Sequence, residues 1–193
     1  NTSTGYTIYL SNSGTVLRDL YIRFSGPPNM SWDQAYTSRN VSVQYLSTNT
    51  FYVPTFLVSG NHTMSSLRFS ASFVQPSLYL YNNNTIDTLQ LHHGMTTYFG
   101  ANQTQTLKSL TADGICSRRI SLYSTSSGTQ ATLSDLTGTN TVDQLYMRDI
   151  KAQGGAVWNA DDVVNEGNNT GWTLNPQSVQ SYYWIGGTGN WSD

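Results

Sequence analysis

Few residues of this chain have side chains that commonly carry out chemistry. Asp, Glu, Lys and Arg make up only 10% of its 193 residues, and Cys116 is the single cysteine. One cysteine cannot form an intrachain disulfide, so we interpret Cys116 as a small buried hydrophobic residue. Stability must then come from packing and backbone hydrogen bonds.

An acidic segment late in the sequence has the residue types that bind Ca²⁺. Asp161, Asp162 and Glu166 supply oxygen atoms, which hard cations prefer as ligands. The spacing departs from the calcium-loop pattern, because Val163 stands where another oxygen donor is needed. These three residues are a calcium candidate, and turn formation by their side chains is the favoured alternative. No other cofactor is expected.

The histidines do not indicate a metal site. His92 and His93 are adjacent, so on a strand they would point to opposite faces and could not chelate one metal ion together. His62 is the only other histidine of the chain.

Polysaccharide cleavage is the enzymatic alternative, since like positions on successive stacked coils would converge in space. The best candidates are Asp87, Asp113, Arg118 and Arg119. The favoured interpretation is that they are solvated surface charges, because charged residues are too few to build a groove for an acidic polymer. No nucleophile-elbow or phosphate-loop motif occurs. We therefore predict that the protein is not an enzyme.

The composition is typical of extracellular β-proteins. Ser, Thr, Asn, Gln and Gly replace the missing charge, together with 13 Tyr and 5 Trp. The net charge of -2 supplies no basic field for nucleic acid or for an anionic membrane. No apolar run approaches the roughly 20 residues that span a bilayer. We predict an extracellular or cell-surface location, with no nucleic-acid partner and no membrane insertion.

Short alternating runs bounded by Gly, Asn, Ser or Pro indicate strands, and helical periodicity is nearly absent. One five-residue pattern recurs: Thr, an apolar residue, two mostly polar residues, then Leu. Its first three copies start at Thr63, Thr85 and Thr106, a spacing of 22 and then 21 residues. Such a period is about one coil of a parallel β-solenoid, which is stable only as a stack.

The predicted fold is therefore an all-β parallel β-helix with a terminal aromatic and glycine cap. An antiparallel β-sandwich is the alternative. The recurring leucines are expected to form one apolar ladder inside the solenoid. The ladder residues are Leu67, Leu89, Leu110, Leu136 and Leu145.

The chain is expected to divide into three parts. Residues 1–38 would be the end of a preceding module or N-terminal cap coils, since "LYIR" at 20–23 reappears as "LYMR" at 145–148. Residues 39–175 would form the solenoid core. Residues 176–193 would be a linker and the start of the next module, or a docking tail between subunits. The first residues lack a signal-peptide pattern, so we expect a mature or excised segment.

Two motifs near the end are the most distinctive, "GNNTGW" at 167–172 and "WIGGTGNW" at 184–191. They resemble the module boundaries of very large secreted bacterial surface proteins of the β-helical adhesin type. In that family a β-helix ends in Gly-Asn-Asn-x-Gly-Trp, and the next module opens with Trp-[Val/Ile]-Gly-Gly-x-Gly-x-Trp. The resemblance covers closely only about the last quarter of the chain. It implies adhesion, surface filaments or motility, and no catalytic apparatus.

The tryptophans and glycines of this region are predicted to cap the solenoid or to dock on a neighbouring copy. An open end exposes apolar core and unpaired strand edges, which need a cover. The cap and self-association residues are Trp158, Trp172, Trp184, Gly186, Gly187, Gly189 and Trp191. The alternative is that exposed Trp and Tyr rings stack on carbohydrate.

We predict a structural module or protomer of an extracellular fibre or giant cell-surface adhesin. Its partners would be other copies of itself or adjacent modules of the same chain, and surface glycans in the carbohydrate-binding alternative. Eight asparagines stand in glycosylation sequons, which fits an extracellular location. They are Asn1, Asn29, Asn40, Asn61, Asn83, Asn102, Asn168 and Asn190.

Overall fold

The structure is a computed structural model that describes residues 16–24, 29–32, 37–45, 55–71 and 75–176. The regular elements in these ranges are all strands. They are β1 Val16–Phe24, β2 Asn29–Trp32, β3 Thr37–Tyr45, β4 Thr55–Val58, β5 Thr63–Ala71, β6 Ser77–Leu80, β7 Asn84–Leu91, β8 Thr96–Phe99, β9 Thr104–Ala112, β10 Ile120–Ser124, β11 Ala131–Ser134, β12 Thr139–Asp143, β13 Leu145–Arg148, β14 Ile150–Gln153, β15 Val157–Asn165 and β16 Thr173–Pro176.

The strands stack into two parallel sheets. The first sheet has seven strands in the order β1-β3-β5-β7-β9-β11-β14. The second has nine, in the order β12-β15-β13-β10-β8-β6-β4-β2, with β16 paired to β15. Neighbouring strands come from successive coils, so the chain is a parallel β-solenoid. This confirms the predicted fold class and excludes the antiparallel sandwich.

Both sheets continue through the first described strands. β1 pairs with β3, and β2 pairs with β4. The predicted division between residues 38 and 39 falls inside β3. In the described part of the chain, no helix has the length and apolar character needed to cross a membrane.

The five-residue repeat marks a bend in β5, β7 and β9 of the first sheet. In β5, Met64 and Leu67 are buried, whereas Ser65 and Ser66 between them both face outward. Strict strand alternation would turn one of the two serines inward, so the strand bends at this point. The register agrees, because Ser38 and Asn40 pair with Met64 and Ser66 while Ser65 is skipped.

The first three predicted leucines form a ladder in the interior. Leu67 lies in register with Leu89, and Leu89 with Leu110, on β5, β7 and β9. All three are buried, and Val41 of β3 extends the column by one coil. Burying a leucine side chain contributes about 1.5–3 kcal/mol, so such a column is a main source of stability.

Leu136 is not part of the ladder, and the prediction is wrong at this position. Its side chain is 75% exposed. β11 ends at Ser134, and the chain makes a turn that buries Asp135 instead. The carboxylate of Asp135 accepts hydrogen bonds from Asn140 Nδ2 at 2.9 Å and from the Thr137 backbone N–H at 3.2 Å. This polar turn leaves Leu136 in solvent.

Leu145 is fully buried, but it lies in the second sheet rather than in the ladder. It sits on β13, in register with Ile120 of β10. Val142 and Leu145 are buried on either side of Asp143 and Gln144, which are only partly buried. The five-residue pattern therefore marks a second corner here, and it identifies corners rather than one interior column.

After β9 the first-sheet strands β11 and β14 have only four residues each, and the cross-section becomes three-sided. β11 pairs with the first half of β9, and β12 packs beside the second half. The Leu110 backbone N–H donates to Asn140 Oδ1 at 2.7 Å across this junction. β15 pairs with β12 through its first half and with β13 through its second half.

The last coils are shorter and approach each other closely at one corner. Ala131 lies in register with Ile150, 19 positions on, whereas Thr104 lies in register with Thr132, 28 positions on. A Cβ added to Gly154 would overlap the carbonyl oxygen of Asp135, and one added to Gly171 would overlap that of Ala152. Both glycines also have positive φ angles, so only glycine fits without strain.

Candidate functional site

The outer face of the second sheet carries a column of aromatic residues. Tyr79, Tyr98, Tyr123 and Arg148 lie in register on β6, β8, β10 and β13. They face outward because the residues on either side of each, such as Leu78, are buried in strict alternation. We call these four residues the tyrosine column.

The rings of the tyrosine column stack on one another. The ring centroids of Tyr79 and Tyr98 are 4.5 Å apart with 15° between the ring planes. Those of Tyr98 and Tyr123 are 5.9 Å apart at 50°, and the Arg148 guanidinium lies 4.9 Å from the Tyr123 centroid. Stacked rings cover each other's faces and present edges and hydroxyl groups.

Glu166 closes the column at its C-terminal end. The Tyr123 hydroxyl donates to Glu166 Oε1 at 3.2 Å, and Glu166 Oε2 lies 3.7 Å from Arg148 Nη1. Burial raises the pKa of the Tyr79 and Tyr123 hydroxyls. Glu166 thus contacts two members of the column, Tyr123 and Arg148.

Beside the column lies a pocket of about 200 Å³, which we call the arginine pocket. It is bounded by the loop between β9 and β10 and by outward residues of β8, β10 and β13. Its lining includes Thr96, Arg118, Arg119, Ser121 and Tyr146. From the sequence, the two arginines were candidates only for catalysis, and no motif marked Thr96, Ser121 or Tyr146.

A tight turn positions the arginines. The backbone N–H of Arg118 donates to the Ile115 carbonyl at 2.8 Å, and the Ile115 N–H donates back at 3.2 Å. Cys116 and Ser117 form the exposed tip of this turn. The interpretation of Cys116 as a buried residue is therefore wrong, because the loop carries it out of the coil.

Both arginine side chains contact the rest of the solenoid. Arg119 Nη1 donates to the backbone carbonyl of Asp162, and its guanidinium carbon lies 5.9 Å from the Tyr146 ring centroid. A Cβ on Gly94 would lie 2.7 Å from Arg118 Nε, so the guanidinium of Arg118 lies against the glycine backbone. The two cations are thus held at the edge of the same pocket.

Three aspartates form an acidic column at the neighbouring corner. Asp113 lies in register with Asp143, and Asp143 with Asp161. Burial raises the pKa of Asp143, and the charges of Asp162, Asp161 and Asp113 raise it further. In the part of the chain that the structure describes, no group of three or more His, Cys, Asp or Glu is placed to hold a metal ion.

The four candidates for polysaccharide cleavage do not all lie together in the structure. Asp87 lies at the bend of the first sheet, where its Oδ2 is 2.9 Å from Lys108 Nζ. Asp113 belongs to the acidic column, and only Arg118 and Arg119 share a pocket.

The histidines lie outside the strands. His92 and His93 follow β7 in a turn, and their ring centroids are only 3.7 Å apart. The expectation of opposite faces is wrong, because it assumed a strand. Burial lowers the pKa of both rings. His62 is buried, and its backbone N–H donates to Asn84 Oδ1 at 3.0 Å.

Amide side chains join the coils at one corner. Asn84 Nδ2 donates to Gln105 Oε1 at 2.8 Å, and Gln105 Nε2 donates to the Asn82 carbonyl at 2.7 Å. Farther along, Asn169 Oδ1 accepts from the Ile150 N–H at 2.9 Å. Buried amides paired in this way fix the register of successive turns.

Five sequon asparagines lie in the described part of the chain with exposed side chains. These are Asn40, Asn61, Asn83, Asn102 and Asn168. Asn29 lies in β2, its side chain is not among those described, and Asn1 and Asn190 lie outside the described residues.

Of the predicted cap residues, two lie in the described part of the chain. Trp158 is 3% exposed, and its ring packs edge-on against Trp172 with centroids 5.0 Å apart and a 66° angle. The Trp158 indole N–H donates to the Gln153 carbonyl at 3.3 Å. The remaining cap residues lie outside the described residues. They are Trp184, Gly186, Gly187, Gly189 and Trp191.

Comparisons with known protein families, curated proteins and solved structures found no significant match to this chain. The resemblance to β-helical surface adhesins therefore stays a prediction. Any function has to be argued from the solenoid and from the tyrosine column.

Proposed function

We propose that this protein is a structural module of an extracellular fibre or large cell-surface adhesin. The observation that carries the proposal is the unbroken parallel stack of two sheets, which runs through all described coils. Backbone hydrogen bonds in such a stack run from coil to coil, so each coil is held by its neighbours. A rigid rod of this kind suits a spacer or fibre.

Side-chain bonds between coils support a load-bearing role. The Asn84–Gln105 pair and the Asn140 link to Leu110 add buried hydrogen bonds to the backbone ladder. The surface carries little charge and many hydroxyl and amide groups, which supports an extracellular setting. We propose that the partners are other copies of the chain or adjacent modules, which would add strands at the ends of the stack.

Electron microscopy and sedimentation at increasing protein concentration test this proposal. We expect rods of constant width whose length grows in steps of one subunit. Compact particles that stay monomeric at every concentration would contradict self-association. Leu174→Pro changes β16, the strand that pairs with β15 at the end of the second sheet. Because proline has no backbone N–H to donate to a neighbouring strand, this variant should form shorter rods.

Catalysis is not part of the proposal. A cleavage mechanism needs an acid or base close to the group that binds substrate. Here Asp87 is paired with Lys108 at the bend of the first sheet, and Asp113 stacks with other aspartates.

A further inference from the structure

We propose that the tyrosine column is a site of oxidative cross-linking, at which a one-electron oxidant joins Tyr79 to Tyr98 through a carbon–carbon bond between their rings. The product would be a dityrosine bridge between the neighbouring strands β6 and β8. The value of such a bridge for a load-bearing rod rests on the proposed function, whereas the formation of the bond does not.

The two rings are already in contact. Their centroids are 4.5 Å apart, and their planes differ by 15°. Tyr79 and Tyr98 lie in register on adjacent parallel strands, so the backbone hydrogen bonds between β6 and β8 hold the rings beside each other. Holding two reacting groups together replaces a bimolecular encounter by a step within one molecule, which strongly favours coupling.

A haem peroxidase acting with hydrogen peroxide is an oxidant of the required class. Each phenol loses one electron and its hydroxyl proton and becomes a phenoxyl radical. The two radicals join at the ring carbons next to the C–O carbons, and the hydrogens on the joined carbons move to the oxygens, which restores both phenols. The two electrons and two protons released convert one hydrogen peroxide molecule into two molecules of water.

Both rings are accessible and able to turn. Tyr79 and Tyr98 lie on the outer face of the second sheet and are partly exposed. Among the described residues, neither hydroxyl has a hydrogen-bond partner, whereas the Tyr123 hydroxyl is bonded to Glu166. Coupling requires the two ring edges to rotate toward each other, and exposed side chains change rotamer within nanoseconds.

The other tyrosine pairs of this face are less well placed for a bond between coils. The ring centroids of Tyr98 and Tyr123 are 5.9 Å apart with a 50° angle, and the hydrogen bond to Glu166 restrains Tyr123. The rings of Tyr79 and Tyr81 are 5.7 Å apart, but both belong to one coil. The geometry therefore selects the Tyr79–Tyr98 pair.

A bridge at this position supplies a covalent tie that cysteines cannot provide. Cys116 is the single cysteine, so no intrachain disulfide can join one coil to the next. A covalent bond between successive coils restricts the unfolded chain and so opposes unfolding, as a disulfide does.

Oxidation of the dilute full chain with a haem peroxidase and hydrogen peroxide, followed by peptide mass spectrometry of the monomer, tests the proposal. Cleavage after Lys and Arg and before Asp places Tyr98 alone among tyrosines in the peptide 87–108, and Tyr79 in the peptide 69–86. We expect these two peptides to be joined with the loss of two hydrogen atoms. Fragmentation of the joined peptides should place the bond on Tyr79.

Tyr79→Phe and Tyr98→Phe should each lower the yield of the joined peptides at least about tenfold, because each removes one phenol of the pair. The matched control is Tyr146→Phe, which removes a tyrosine that is 37% exposed and lies beside the Arg119 guanidinium. Its yield should change by less than about twofold, since proximity of the rings rather than exposure governs intramolecular coupling.

Two further reactions keep the test decisive. Cys116→Ser removes an exposed thiol that could reduce tyrosyl radicals, and photo-oxidised tris(bipyridyl)ruthenium is a small oxidant that reaches partly buried rings. Oxidised monomer without the joined peptides in all of these reactions would overturn the proposal, and so would an unchanged yield in Tyr79→Phe. Because the bond is measured in the monomer, its absence would leave rod assembly, measured by microscopy and sedimentation, unaffected.

Discussion

The earlier and later coils of the solenoid both stack in parallel, but different residues stabilise the stacking in the two regions. From β5 to β9, long bent strands stack a column of leucines. From β11 to β16, every strand except the nine-residue β15 has four or five residues, and buried polar groups and glycines lie at the corners. The comparison teaches that a long coil is held mainly by its apolar interior, whereas a shorter, three-sided coil depends on how closely its corners approach.

The largest expected effect is the difference in stability loss between Leu89 in the buried ladder and Leu136 on the surface. Leu89→Ala removes a fully buried side chain between Leu67 and Leu110, and it should lower the free energy of unfolding by about 2–5 kcal/mol. Leu136→Ala should change it by less than about 0.5 kcal/mol, since that side chain is 75% exposed. Urea denaturation of both variants measures the difference. Similar losses at the two positions would remove the distinction between the regions.

The glycine corner of the later coils is the next most sensitive feature. Gly154→Ala forces a Cβ into the Asp135 carbonyl oxygen and should cost more than about 2 kcal/mol of stability. Gly128 also has a positive φ but has no neighbouring atom within 4 Å of an added Cβ. Gly128→Ala should therefore cost only about 1 kcal/mol, the price of the backbone conformation. Equal melting temperatures for these two variants would show that close approach is unimportant.

The junction between the two regions depends on Asn140. Its side chain is buried, accepts from the Leu110 N–H and donates to Asp135 Oδ2. Asn140→Ala leaves both partners unsatisfied and should cost about 1–3 kcal/mol. Hydrogen exchange should show faster exchange of the Leu110 amide in this variant. Unchanged protection at Leu110 would mean that the junction is held by other contacts.

A substitution in the acidic column should give the smallest change in stability, and the size of that change should depend on pH. The pKa of Asp143 is raised above 3.8 in the folded chain, so folding favours its protonated form. The contribution of Asp143 to stability is fully present at pH values below its pKa in the unfolded chain. It is lost as the pH rises through the pKa of Asp143 in the folded chain. Asp143→Asn should therefore stabilise the protein by about 0.5 kcal/mol at neutral pH and have no effect in strong acid.

Asp87→Asn is the matched control for this change, because Asp87 is paired with Lys108. Removing an attractive surface pair should destabilise by about 0.2–1 kcal/mol, the opposite sign. Thermal melts of both variants between acid and neutral pH compare them. Destabilisation by Asp143→Asn at neutral pH would contradict the repulsion that we assign to the column.

The sequence predicts the earlier coils well because their repeat has a physical cause. Two outward residues between buried Met64 and Leu67 are what a bent strand requires, and the same spacing returns in β7 and β9. The pattern at Leu136 looks alike, but a buried Asp135 and the turn after it leave the leucine exposed. A five-residue motif cannot distinguish a bend from a turn when the polar residue is buried by hydrogen bonds to residues just after it, as Asp135 is by Thr137 and Asn140.

The arginine pocket was harder to predict, because its residues come from different coils. Arg118, Thr96 and Tyr146 are brought together by register, which depends on coil lengths that vary from one coil to the next. One pattern was available: Ser or Thr two residues before Tyr recurs in "SLYLYN" and "ISLYS". It would have identified the tyrosine column as part of one outer face.

The central claim is that load passes from coil to coil through an in-register stack. Single-molecule force spectroscopy on the chain held at its two ends tests it most directly. We predict a series of force peaks, each releasing about 70–80 Å of chain, the extended length of one coil. Extension without force peaks would contradict the claim.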